Sequence, residues 1–251
     1  STWAANDPEA AIRWALANHD GEDANPYMAG IIQSIAGNDP ARATQLLSSM
    51  PRSQERGEAL DQMLPHLLKQ GGDATRAWIE GLQDEALRNG AMMRAADQLA
   101  ATDPAGTAAW LLANPGEASQ RRMDDVYSTW AAKDEAAALA SMANLPAGEI
   151  RSDALRGVIT SVAVRDPQTA VSMLDRFPGD VDDRVVRNVV WHSFGSNPSL
   201  AMNQIARITD QGDRERMYGR SLEAWMDRDA NAANAWLQQN QVPDSVIQRL
   251  N

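Results

Sequence analysis

Asp and Glu number 34 in this chain, and several gather in short runs: Glu22-Asp23, Asp84-Glu85 and the stretch from Asp180 to Asp183. Two carboxyl groups held about 5–9 Å apart can work as acid and base, or acid and nucleophile, on a glycosidic bond. Acidic residues before a helix are also what the helix dipole favours. Structural duty is therefore the expectation for these runs, with a polysaccharide-acting enzyme or its accessory domain as the alternative. His19, His66 and His192 lie in different parts of the chain without metal-ligand spacing. The absence of cysteine excludes disulfides and thiolate-held metals. No Gly-x-Ser-x-Gly elbow or Gly-rich phosphate loop occurs, and Gly71-Gly72 reads as a turn. The expectation is a protein with no catalytic residue, no metal and no cofactor.

The elements that must position these groups follow from a repeat. An aspartate or its substitute opens a similar apolar pattern at Asp7, Asp39, Gly71, Asp103, Asp134, Asp166, Asn197 and Asp229, at spacings of 32, 32, 32, 31, 32, 31 and 32 residues. Periods of this size belong to arrays of helical hairpins. Five of the eight anchors are followed directly by proline. Asp or Asn caps an orphan N–H at a helix start, and proline fits the first helical position, where no N–H is needed.

Counting forward from the anchor, the fourth residue is always small: Ala11, Ala43, Thr75, Thr107, Ala138, Ala170, Ala201 and Ala233. The eighth is Ala15, Leu47, Ile79, Leu111, Met142, Leu174, Ile205 and Leu237. Positions four, seven, eight and eleven share one helical face. Pro51, Pro115, Pro146 and Pro178 close this first helix after about three turns. Counting back from the next anchor, positions eleven, seven and four before it are again apolar, as in Met28, Ile32 and Ile35 or Leu155, Ile159 and Val162. That spacing defines a second helix. No window alternates with a strand period.

The expected fold is all-α, a right-handed α-solenoid of about eight helix-turn-helix repeats forming a single domain over 1–251. Trp3 falls where Ile35 and Trp225 fall in later repeats, so Ser1 to Asn6 reads as the tail of a second helix whose beginning lies in a longer protein. Gln248, Arg249 and Asn251 give the last helix a polar, capping character. The cysteine-free chain opening inside a hairpin suits an exported, periplasmic bacterial domain, with the cytoplasm as the alternative.

The stretches Asn6-Asp7-Pro8-Glu9-Ala10-Ala11-Ile12-Arg13-Trp14 and Thr102-Asp103-Pro104-Ala105-Gly106-Thr107-Ala108-Ala109-Trp110 resemble the joint of tetratricopeptide repeats. There, Asp-Pro closes one hairpin and a tryptophan follows six residues after the proline. The period is shorter than the 34 residues of that family, its downstream Leu-Gly and Tyr positions are absent, and a proline often closes the first helix early. The apolar ladder is also similar to that of HEAT-like solenoids. The resemblance implies a binding scaffold without catalysis.

Composition narrows the partner. A net charge of −11 argues against nucleic acid, which needs cationic neutralisation, and against anionic membrane surfaces. No apolar run approaches the about 18 residues of a membrane span. A protein or peptide is the expected partner, with a self-assembling spacer as a further alternative.

Seven of the eight tryptophans keep the repeat register: Trp14, Trp78, Trp110 and Trp236 at one position, Trp3, Trp130 and Trp225 at another. A side chain fixed by register is expected to pack between helices. Trp191 breaks the register, standing where other repeats carry Gln33, Pro65, Asp97, Ser128, Thr160 and Glu223. With His192, Arg156, Arg184, Arg187, Arg216 and Arg220 it forms a candidate partner-binding patch for an acidic or carboxylate-bearing peptide, since Arg and Trp are favoured at interface hot spots. Ser193 stands at an otherwise apolar position, so a helix rotated by one residue would instead put Trp191 in the core place of Ile159. A second ladder, Arg56, Arg88, Arg151 and Arg214, lies fifteen before its anchors. Cations are unfavourable at a helix start, so these are expected to bridge to nearby acids.

Overall fold

The computed structural model describes residues 2–250; Ser1 and Asn251 lie outside the described residues. These residues are all-α, with no strand among them. In chain order the helices are α1 (Thr2–Asn6), α2 (Pro8–Ala17), α3 (Met28–Ile35), α4 (Pro40–Ser49), α5 (Gln54–Lys69), α6 (Gly72–Glu80), α7 (Glu85–Thr102), α8 (Pro104–Ala113), α9 (Glu117–Lys133), α10 (Glu135–Ala143), α11 (Glu149–Arg165), α12 (Pro167–Arg176), α13 (Asp183–Phe194), α14 (Pro198–Gln204), α15 (Gln211–Gln239) and α16 (Asp244–Leu250). The chain divides into two compact units, Ser1–Arg122 and Met123–Asn251.

Most helices pack on their sequence neighbours, and several also pack on the helix two places along. In unit 1, α1, α3, α5 and α7 follow one another in this way, with α4 between α3 and α5 and α6 between α5 and α7. In unit 2, α11 packs on α13 and α12 on α14, while α15 carries α16. This arrangement is compatible with a helical repeat fold.

The anchors do two jobs. Asp7, Asp39, Asp103, Asp134 and Asp166 each accept a hydrogen bond on the side chain from the N–H three residues on, at 2.9–3.1 Å. The backbone N–H of the same residue donates to the carbonyl four residues back, at 2.7–2.9 Å. One residue thus ends the preceding helix and starts the next, which requires an extended kink between them. Inside α15 that kink is Asp229, at φ −154° and ψ 82°, whose side chain accepts from Ala232 N–H at 3.0 Å. Gly71 has no side chain to cap with and makes its turn at φ +109°, a region L residues rarely enter.

The small fourth residues are fully enclosed: Ala43, Thr75, Thr107, Ala138, Ala170, Ala201 and Ala233 are 0% exposed and Ala11 is 1% exposed. Thr75 and Thr107 satisfy their hydroxyls on the anchor carbonyl four residues back, at 2.9 and 2.7 Å. Helices approach closely at Gly157 in α11, where a Cβ would lie 2.1 Å from the Asp124 carbonyl oxygen. The second arginine ladder has a common duty. Arg56, Arg88, Arg151 and Arg214 each donate to the carbonyl six residues back, on Met50, Leu82, Leu145 and Ile208, at 3.4, 3.5, 3.3 and 2.7 Å. Arg56 also pairs with Asp84 at 3.0 Å and Arg151 with Asp180 at 2.6 Å. The expected bridges to acids thus form at two of the four, while the bond to a joint carbonyl is common to all.

Candidate functional site

The register of α13 decides what Trp191 does. Val186 and Val190 are buried, and Ser193 is fully buried in the apolar position its spacing assigns, while Trp191 is 79% exposed. The helix is not rotated. Ser193 occupies its core place at a penalty, because its Oγ is buried with no hydrogen-bond partner. Phe194, next in the chain, is only partly covered and packs at the edge of the unit 2 core.

Two hollows flank the Trp191 ring in unit 2. One, of about 550 Å³, is lined by Val190, Trp191, Phe194, Gly195, Met217, Arg220, Ser221 and Ala224, from α13 and α15 with the turn after α13. The other, of about 400 Å³, is lined by Arg156, Arg184, Arg187, Asn188, Trp191 and Met217. The first is apolar with a charged rim, and the second is lined by three arginines. The sequence-based patch is thus largely brought together, although His192 and Arg216 line neither hollow. Phe194, Met217, Ser221 and Ala224 were not among the sequence candidates. The only sequence signal for them is that Phe194 follows the polar Ser193 in the one repeat that departs from the pattern.

Most of the arginines already hold internal carboxylates. Arg156 pairs with Asp124 at 2.8 Å and with Asp153 at 3.0 Å. Arg184 reaches Asp153 at 3.3 Å, Asp182 at 3.1 Å and Glu149 at 3.6 Å. Arg187 pairs with Asp213 at 2.8 Å, and Arg216 pairs with the same carboxylate. Arg220 is exposed, and its side chain has no hydrogen bond or ion pair among the described residues.

These networks shift protonation. Burial raises the Asp124 pKa above the usual carboxylate range against the opposing charge of Arg156, with Asp125 and Asp153 adding repulsion. Burial works against the charge of Arg184, but Asp153, Asp182 and Glu149 outweigh it and hold its pKa above the ordinary guanidinium value. Asp153 is fully buried and leaves one carboxylate oxygen without a partner. Asp183, at the start of α13, is buried enough to be raised by that alone. Hydrogen bonds from Thr209 and Asp210 N–H and from the Thr209 hydroxyl, with the charge of Arg187, bring it below the usual range instead.

The acidic runs serve the joints. Asp84 caps α7 through Leu87 N–H at 2.7 Å, Asp182 caps α13 through Val185 N–H at 2.9 Å, and Asp180 holds Arg151. His19 contacts the Asp23 carbonyl at 2.9 Å within its own loop.

The tryptophans divide. Trp110, Trp225 and Trp236 are buried, and Trp78, Trp110 and Trp236 each donate an indole N–H to the preceding repeat, on Thr44, Glu80 and Asn203, all at 2.9 Å. Trp3 and Trp14 depart from the packing expectation: they are 47% and 44% exposed. They stack edge-on at 6.1 Å, and Trp14 meets Tyr27 at 4.9 Å, so they pack chiefly on one another beside a hollow of about 300 Å³.

Among the described residues, no helix is long and apolar enough to cross a membrane, and no cluster of His, Asp and Glu has metal-binding geometry. Comparison of the chain with protein-family models, with curated proteins and with solved structures finds no match.

Proposed function

We propose that this chain is a non-catalytic binding scaffold, a right-handed α-solenoid of about eight helical hairpins that holds a protein or peptide partner on the face around Trp191. The observation that carries the reading is Trp191 itself. It departs from the repeat pattern, stands 79% exposed, and separates two hollows. Covering a large apolar side chain is worth about 1.5–3 kcal/mol, a gain that folding leaves unrealised here and that a partner can realise. Tryptophan and arginine together form the residue chemistry of interface hot spots.

Affinity capture with the intact chain, compared with an Arg187→Ala, Trp191→Ala double variant, tests this reading. The wild type recovers one or more partners that the folded double variant loses. Identical recovery by both, with matching circular dichroism, counts against the face.

One observation favours a second reading. A cleft of about 560 Å³ in unit 1 is lined by Glu85 and Glu117, from successive repeats, together with Arg52, Asn89 and Arg94. A pair of carboxylates on one cleft is the starting material of a polysaccharide-acting site. Both carboxylates are exposed, and Glu117 pairs with Arg121 at 3.1 Å. A general acid relies on burial to raise its pKa, so the weight stays with binding. Release of reducing ends from a polysaccharide, lost in Glu85→Gln, would reverse that order.

A further inference from the structure

Resting on the binding reading of the Trp191 face, we infer that the apolar hollow takes a bulky apolar side chain of a partner peptide, and that Arg220 holds a carboxylate carried beside it. The walls are Trp191, Phe194 and Met217, over a floor that includes the buried Val190, and the volume of about 550 Å³ accepts one or two large side chains. Ala224 leaves the α15 side of the hollow low. Arg220 lines the same hollow and is exposed.

Charge selects the occupant. In the adjoining hollow, Arg156, Arg184 and Arg187 are already matched by internal carboxylates. Arg220 has no partner among the described residues, so its five N–H donors are open to a ligand. A guanidinium binds a carboxylate through two parallel hydrogen bonds, which fixes orientation as well as charge. An apolar side chain seated against Trp191 brings a neighbouring carboxylate to that rim. The carboxylate can belong to an acidic side chain or to a peptide C-terminus, and the chemistry at Arg220 is the same.

The test uses fluorescein-labelled octapeptides and the full chain, read by fluorescence polarisation. One peptide carries an internal Phe-Glu pair. Its variants replace Phe by Ala or Glu by Gln, and a further pair ends in Phe as free acid or amide. The wild-type chain is expected to bind the Phe-Glu or the free-acid peptide, or both, with about tenfold loss when Phe becomes Ala and about tenfold loss when the carboxylate is neutralised. Whichever carboxylate shows the loss identifies its source. Arg220→Ala removes the preference for the charged peptide while keeping the preference for Phe, and Trp191→Ala removes the preference for Phe. Arg220→Ala changes an exposed, unpartnered residue, so its fold is retained.

Equal binding of charged and neutral peptides by the wild type overturns the inference, as does an unchanged carboxylate preference in Arg220→Ala. It is overturned equally by no peptide binding up to about 1 mM, or by a ten-residue oligothymidylate binding more tightly than any peptide through Arg220. If the peptides fail while Trp191→Ala, Arg187→Ala still loses captured partners, this inference falls and the binding face stands.

Discussion

Ser193 shows how one residue records a conflict between fold and pattern. Its siblings at the same repeat position include Ile35, Leu67, Leu99 and Val162, all buried, and it sits among them fully enclosed with a hydroxyl that bonds to nothing. An unsatisfied buried polar group costs about 1–3 kcal/mol. Ser193→Ala is therefore expected to raise stability by about 1 kcal/mol, read as a higher midpoint in urea with an unchanged slope; a lower midpoint would mean the hydroxyl has a role in the folded state. The two readings of α13 differed by a single residue of rotation, and the sequence left both open because Ser193 is polar and Phe194 is apolar. What settles it is burial: once Val186 and Val190 fill the core, Trp191 has nowhere to go but outward. The Arg56 ladder was legible as structural from its register alone. Its bonds to carbonyls six residues back were not, because they depend on how the joint folds back past the helix start.

At the scale of elements, the helices and their joints could be read almost directly, since the anchor caps and the apolar spacing are local chemistry. Helix contacts test that reading. Ala170 is fully buried on α12, which packs against both α11 and α13. Ala170→Leu is expected to lower stability by about 1–3 kcal/mol through overpacking, measured by chemical denaturation; an effect near zero would show that the helices do not approach closely there. Gly157 is a stricter case, because its Cβ would strike backbone, which cannot swing aside. Gly157→Ala should cost more than the helix-propensity gain of about 1 kcal/mol returns, giving a net fall in the melting midpoint. The hollows beside Trp191 were not legible at this scale. They arise where side chains of α13 and α15 diverge, and repeat register says which residues face outward without saying how far apart neighbouring outward residues stand.

At the scale of the whole molecule, the acidic balance of −11 is distributed into specific contacts whose protonation sets the response to pH. Asp84 is held below its ordinary value of 3.8 by the N–H of Leu87 and the Arg56 side chain, and Asp103 by the N–H of Gly106 and by Arg76. With Asp183, these groups have folded pKa values below the unfolded ones. Their contribution is present above about pH 4 and is lost as pH falls through the depressed values. Asp124 runs the other way: its raised pKa removes stability as pH rises from 3.8 through its folded value. The thermal midpoint should therefore fall steeply below about pH 4, and Asp124→Asn should raise it near neutrality relative to its value at low pH. A profile in which Asp124→Asn has no differential effect would show that its burial is relieved in solution.

The central claim is that the face marked by Trp191 meets a partner, and site-specific photocrosslinking tests it most directly. With p-benzoylphenylalanine in place of Trp191, and separately in place of Gln33, the exposed residue at the same register position in unit 1, cells expressing the full chain are irradiated and the adducts resolved by mass. A discrete partner adduct is predicted from position 191 and none from position 33. Adducts of equal yield from both positions, or from 33 alone, would contradict the claim.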